Sequence, residues 1–250
     1  MKLLKPSLIL AALLTGFAGG ASAHGTDHHG GLSTRAVKTV KASFDIVRTR
    51  ISTEGNLAIF QMAVSGKAGA VRPSKSGKLA GSSVFSYVWP TSLDPSVIGF
   101  EPKAGILAFA VTSHPDFDDT PLFDENGDGD PNNDGDLWHS HWVVLQPDAA
   151  CGPGALKVVD IPEGAKPRVP RTWPGLPILI DSPGWTPLFK NETVEVRVPF
   201  DDIGIVAAGG FDGVTAALRV NASVHSPLLC VADVFKIASG DLSLPGRVNQ

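Results

Sequence analysis

Short runs of β-branched and alternating residues, each ended by Gly, Pro, Asn or Asp, recur along this chain. No stretch carries a helical apolar period with caps at both ends. The runs are Ala42–Ile51, Leu57–Val64, Ser83–Trp89, Gly105–Thr112, His139–Leu145, Leu156–Ile161, Pro177–Ile180, Thr193–Val198, Val214–Val224 and Cys230–Ile237. A helical turn fits best at Ile203–Ala208, and Leu228–Phe235 can be drawn as a helix in place of the last strand. Strands punctuated this way predict an all-β fold, a β-sandwich-like single domain with long loops. With 43% apolar residues the chain can fill a core, while 27 Gly and 20 Pro make it loop-rich.

The start of the chain has a different character. Lys2 and Lys5, the apolar run Leu8–Ala18 and Ala21-Ser22-Ala23 form the pattern of a signal peptide over residues 1–23, cleaved after Ala23. The mature protein is then expected in the periplasm, secreted or at the cell surface. Residues 24–36, HGTDHHGGLSTRA, read as a flexible His/Gly-rich tail, and residues 37–250 as the all-β domain. Nothing approaches ~18 uninterrupted apolar residues, so no membrane span is expected. Without the two leader lysines, the 21 basic residues fall to 19 against 25 acidic ones, a formal charge of −6. That argues against nucleic acid or anionic lipid as a partner. Two cysteines, Cys151 and Cys230, in an exported chain predict one disulfide.

Between Ala104 and Leu156 there is no Lys or Arg, yet the window holds ten acids: Asp116, Asp118, Asp119, Asp124, Glu125, Asp128, Asp130, Asp134, Asp136 and Asp148. Uncompensated carboxylates repel one another on folding, so such a cluster calls for cations or full solvation. Its centre is a long loop, residues 114–137, in which Asp124-x-Asn126-x-Asp128-Gly129-Asp130-x-Asn132 matches the alternating oxygens of an EF-hand-type calcium loop. The twelfth position, where a bidentate Glu closes such loops, is Gly135, flanked by Asp134 and Asp136. Calcium bound by Asp124, Asn126, Asp128, Asp130, Asn132, Asp134 and Asp136 is the expectation; a solvated Asp/Gly turn is the alternative.

Directly after the loop comes Trp138-His139-Ser140-His141-Trp142. On a strand, alternation puts His139 and His141 on one face, ~6–7 Å apart, with the tryptophans and Ser140 on the other. A third ligand from His114 or His225, each near a strand end, would complete a Cu or Zn site, since imidazole suits those metals and calcium prefers oxygen. The alternative is a pair of strand histidines bonded to Asp136 or backbone carbonyls. Cleavage after Ala23 would also expose His24, whose amine and ring can chelate copper, as in copper monooxygenases that act on polysaccharides. No G-x-S-x-G, H-E-x-x-H or Gly-rich phosphate loop occurs, so no catalytic residue is assigned.

The tryptophan-flanked histidine pair, with His114 upstream and His225 downstream in an exported β protein, resembles the surface-associated copper-binding proteins of methanotrophs (the CorA/MopE type). That resemblance implies one copper held by two histidines and by kynurenine, an oxidised tryptophan. His139 or His141 plus His114 or His225 would be the ligands, and Trp138 or Trp142 the oxidised residue. The expectation is an exported metal-binding protein for capture or buffering, with metal ions as its partners: calcium in the acidic loop and copper or zinc at histidines. Two other readings remain: a calcium-stabilised module without transition metal, and a copper oxidase or monooxygenase using His24.

Overall fold

The computed structural model describes residues 30–117 and 124–250, so the leader and residues 24–29 of the expected tail, His24 among them, lie outside the described residues. The strands are β1 (Leu32–Ser33), β2 (Ile46–Glu54), β3 (Leu57–Val64), β4 (Ser76–Gly77), β5 (Ser83–Pro90), β6 (Ile106–Ser113), β7 (Asp116–Phe117) and β8 (His139–Pro147). They continue with β9 (Leu156–Val158), β10 (Ile180–Asp181), β11 (Leu188–Lys190) and β12 (Thr193–Pro199), then helix α1 (Ile203–Ala207). The last four are β13 (Gly210–Phe211), β14 (Val214–Val220), β15 (Leu229–Ile237) and β16 (Gly246–Arg247). The all-β expectation holds, and Asp202 caps the short helix by accepting the Gly204 N–H.

Two layers make the domain. One is a five-stranded antiparallel sheet in the order β1-β2-β3-β12-β11. The other closes on itself: the order β8-β6-β5-β14-β15-β9 returns to β8 through Leu145↔Val158, Gln146↔Lys157 and Pro147↔Leu156. Closure removes the free edges of the ring, and β10 adds to β8 outside it through Ile180↔Val143 and Asp181↔Trp142. Register shifts between β14 and β15, at Thr215/Ala216 and Ala217/Leu218, supply the local bending that a narrow ring needs.

Strands shared by the ring and the interface are buried on both faces, as a near-continuous apolar run such as ILAFAVTS demands. The two faces differ in residue size. Toward the five-stranded sheet point Tyr87, packed on Phe44, and Trp89, Phe109 and Trp142, packed on Phe60; the Phe60 ring lies 4.6 Å from Phe109 and 5.7 Å from Trp89. Toward the ring interior point Val84, Val88, Ala108, Ala110, Val143 and Ala216. A six-stranded barrel is narrower than the eight-stranded kind that side chains just fill, so small aliphatic groups suit its lumen.

Two tethers hold the periphery. Cys151, in a single 3-10 turn after β8, is disulfide-bonded to Cys230 on β15, with Cα atoms 5.4 Å apart, as expected. Lys236 on β15 donates to Asp45 Oδ1 at 2.6 Å, while the Val37 N–H donates to Asp45 Oδ2 at 2.9 Å. Among the described residues no helix is long and apolar enough to cross a membrane.

Asp45 is 1% exposed, and removing it leaves the Lys236 ammonium buried without its partner. Asp45→Ala is expected to cost ~3–5 kcal/mol of unfolding free energy. Burial pushes the Asp45 carboxyl up, but hydrogen bonds from Lys236, Ser65 and Val37 outweigh it and hold the group below the usual carboxylate range. Its contribution is therefore complete above ~pH 4, the unfolded carboxyl value, and disappears as pH falls through the lower folded value. Denaturant melts of wild type and variant should thus converge in acid and separate toward neutrality.

Candidate metal centre

The barrel-facing row of β8 runs His139, His141, Val143, Leu145, alternating with Trp138, Ser140, Trp142 and Val144 on the other face. The two histidines thus continue the lumen to one end of the ring, where Thr112 of β6 stands opposite His139 and Ala110 opposite His141. The chain leaves β6 at Ser113 and turns immediately, placing His114 beside them. Ring centroids are 4.7 Å apart for His139 and His141 and 4.8 Å for His114 and His139, both pairs edge-on. One ring nitrogen from each of His114, His139 and His141 lies within 4.8 Å of the other two.

Hydrogen bonds assign the tautomers. His139 Nδ1 is 3.0 Å from the Leu137 carbonyl and His114 Nδ1 is 2.8 Å from the Pro115 carbonyl. A carbonyl only accepts, so both Nδ1 atoms carry hydrogen; the Nε2 lone pair of His139 then faces the Thr112 hydroxyl at 3.4 Å, and that of His114 points toward the acidic loop. His141 Nδ1 meets the Ser182 hydroxyl at 3.0 Å, just past β10. The His114 ring also stacks on Phe117 at 5.1 Å, which restricts its rotation.

The site is dry. His139 and His141 are 7% and 8% exposed, and burial, then neighbouring imidazoles, keeps both neutral. The His141 value is pushed down to about 3, and that of His139 lies well below the ordinary imidazole range. Burial lowers His114 too, against the pull of Asp116 and Asp134. Neutral imidazole is the form that binds metal. A tetrahedral ion with ~2 Å bonds wants nitrogens ~3.4 Å apart, so closing on one takes side-chain movements of about an ångström.

Beside the imidazoles the acidic loop is held by its own side chains. Asp124 Oδ1 accepts the Gly127 and Asp128 N–H groups and Oδ2 that of Gly129; Asp128 accepts from Asp130 N–H and Asn133 Nδ2, and Asp130 from Asn132. Asn126 Oδ1 takes the Asp128 N–H. These oxygens are exposed and organise the turns. Asp136 sits apart at φ 77°, its carboxylate 3.8 Å from Arg72. Of the expected calcium ligands only Asp134 is drawn inward.

Asp134 joins Asp116 of β7 and Glu125, and one oxygen from each lies within 4.8 Å of the others. Asp134 Oδ2 accepts the Glu125 and Asn126 N–H groups at 2.6 and 3.3 Å. Burial, then Asp134 and Asp116, pushes the Glu125 carboxyl up to about 8, and burial with Asp134 also raises Asp116. Glu125 Oε1 is 3.9 Å from His114 Nε2, so the two clusters adjoin. Asp116 and Glu125 were visible only as members of the acid-rich window; Glu125 falls between the alternating loop oxygens and joins the cluster because the loop folds back.

His225 is exposed in the turn after β14 and is outside the imidazole group. Trp138 and Trp142 project to the face opposite the imidazoles; Trp138 Nε1 donates to Gly69 O, while Trp142 Nε1 is buried without a partner among the described residues. Compared with protein-family models, curated proteins and solved structures, the chain matches none.

The geometry accounts for glycine at the twelfth loop position. A Cβ on Gly135 would sit 2.2 Å from the Lys75 carbonyl oxygen and 2.5 Å from Asp116 Oδ2. Strands β4 and β7 pair in parallel, Ser76↔Asp116 and Gly77↔Phe117, and backbone cannot yield as a flexible side-chain end does, so Gly135→Ala must displace that pairing or the Asp116 carboxylate. A loss of ~1–3 kcal/mol in denaturant unfolding is expected.

Proposed function

We propose that this protein captures or buffers a transition metal ion, copper or zinc, at His114, His139 and His141. One observation carries the reading: three neutral imidazoles converge at a barrel end, with two Nδ1 hydrogens fixed by carbonyls. Borderline ions favour nitrogen over the carboxylate oxygens next door. Neighbouring carbonyls orient the rings, and the apolar lumen beneath keeps water from competing. Acting as an exported protein, with the leader removed, it would meet metal outside the cytoplasm. A calcium in the acidic region would serve stability rather than capture.

Metal titration of the purified, metal-stripped mature chain tests this. One Zn²⁺ or Cu²⁺ per chain is expected, weakened at least ~100-fold by the double variant His139→Ala/His141→Ala, since loss of mere outer partners of ligands already costs 10–100-fold. Calcium binding with no uptake of either transition metal would overturn the reading in favour of a calcium-stabilised module. Copper held equally well by the double variant would move the site to His24 and the tail.

A further inference from the structure

The three carboxylates beside the imidazoles present a separate question. The Glu125 side chain is 5% exposed and Asp134 1%. Glu125 Oε2 and Asp134 Oδ1 are fully buried and have no hydrogen-bond partner among the described residues. No Lys or Arg of the described residues pairs with Asp116, Glu125 or Asp134; the neighbouring Arg72 reaches Asp136 instead. Carboxylate oxygens buried without a donor or cation are costly in their charged form, and proteins resolve the cost by pairing, by protonation or by metal. The backbone also makes room: Gly135 has no Cβ where Asp116 Oδ2 approaches.

We propose that Asp116, Glu125 and Asp134 form a binding site for one hard divalent cation, calcium by preference, adjoining the imidazole cluster. All-oxygen donors exclude the borderline ions that suit histidine and select among calcium, magnesium and manganese. Coordination chemistry favours calcium, which accepts irregular oxygen geometry, over magnesium, which demands a near-ideal octahedron and dehydrates reluctantly. The oxygens here lie within 4.8 Å of one another. Calcium's remaining positions would be filled by water. The ion would tie Glu125 and Asp134 of the acidic loop to Asp116 on β7, fastening the loop where His114 leaves β6. Only Asp134 is common to this set and to the alternating-oxygen pattern of the loop. The inference shares with the proposed function only the expectation of a hard ion in the acidic region, and the imidazole reading can fail without it.

Calorimetric titration of metal-stripped full-length mature protein with CaCl₂ decides. One calcium per chain is expected in wild type and in His139→Ala/His141→Ala. Affinity should fall at least tenfold in Glu125→Gln and in Asp134→Asn, yet change less than twofold in Asp128→Asn and Asp130→Asn. Circular dichroism melts identify any variant that fails to fold, and Glu125→Gln, nearly isosteric, keeps the test valid if Asp134→Asn unfolds the loop. Wild-type affinity in Glu125→Gln would overturn the proposal, as would loss confined to the Asp128 and Asp130 variants. Absence of calcium uptake by wild type at millimolar concentration would do the same, leaving a shared proton as the partner of these oxygens.

Discussion

Strand β8 serves two interiors at once, and the rest of the molecule depends on that. Its even-numbered face carries Trp142 and Val144 into the core beneath the five-stranded sheet; its odd-numbered face carries Val143 and Leu145 into the ring. Pairing with β6 along one edge, and with β10 and β9 along the other, leaves the strand no solvent side. A strand so enclosed cannot slip by one residue without exchanging Trp142 for Val143, that is, forcing an indole into a lumen lined by alanine and valine. The register that protects the core therefore also fixes where His139 and His141 point. Their placement needs no contribution from a flexible loop.

The acidic segment shows the opposite regime. Its outer part, Asp124 to Asn132, satisfies itself through carboxylates and amides capping nearby N–H groups, a local solution that solvent would tolerate. Its inner part is set by tertiary contacts. Asp134 and Glu125 are carried under the barrel end by the hydrogen bonds that close the loop, Leu137 N–H to Asp134 O and Asp136 N–H to His114 O. Hard oxygens and neutral nitrogens thus meet at one boundary with His114 and Glu125 as the contact, the two donor types remaining separate.

Much of this was legible in sequence wherever period and turn chemistry act locally. Leu57–Val64 and the start of β8 at His139 follow from alternation and flanking turns, and the segment from Ile203 that fits a helical turn is α1. The stretch from Leu228 that also fits a helix is strand β15, because β14 and β9 pair with it. Other boundaries moved for nonlocal reasons. β2 begins at Ile46 rather than Ala42 because Phe44 closes a turn onto Lys41 O and Asp45 is drawn to Lys236. β14 stops at Val220 because the Asn221 side chain donates to the Pro227 carbonyl and turns the chain. Ring closure through β9, and the inward pairing of Glu125 with Asp116, join residues whose sequence neighbourhoods carry no sign of each other.

The disulfide has a consequence beyond holding the chain together. Cys230 stands opposite Lys157 at the only pairing between β15 and β9, so the covalent link lies at the seam of the ring. That seam meets β8 at Leu145 to Pro147, some five residues and ~17–20 Å along the strand from the imidazoles. No free cysteine remains in the chain. For a centre proposed to hold copper, this leaves no thiol for a cuprous/cupric couple to oxidise, and the disulfide stands toward the far end of β8 from the imidazoles.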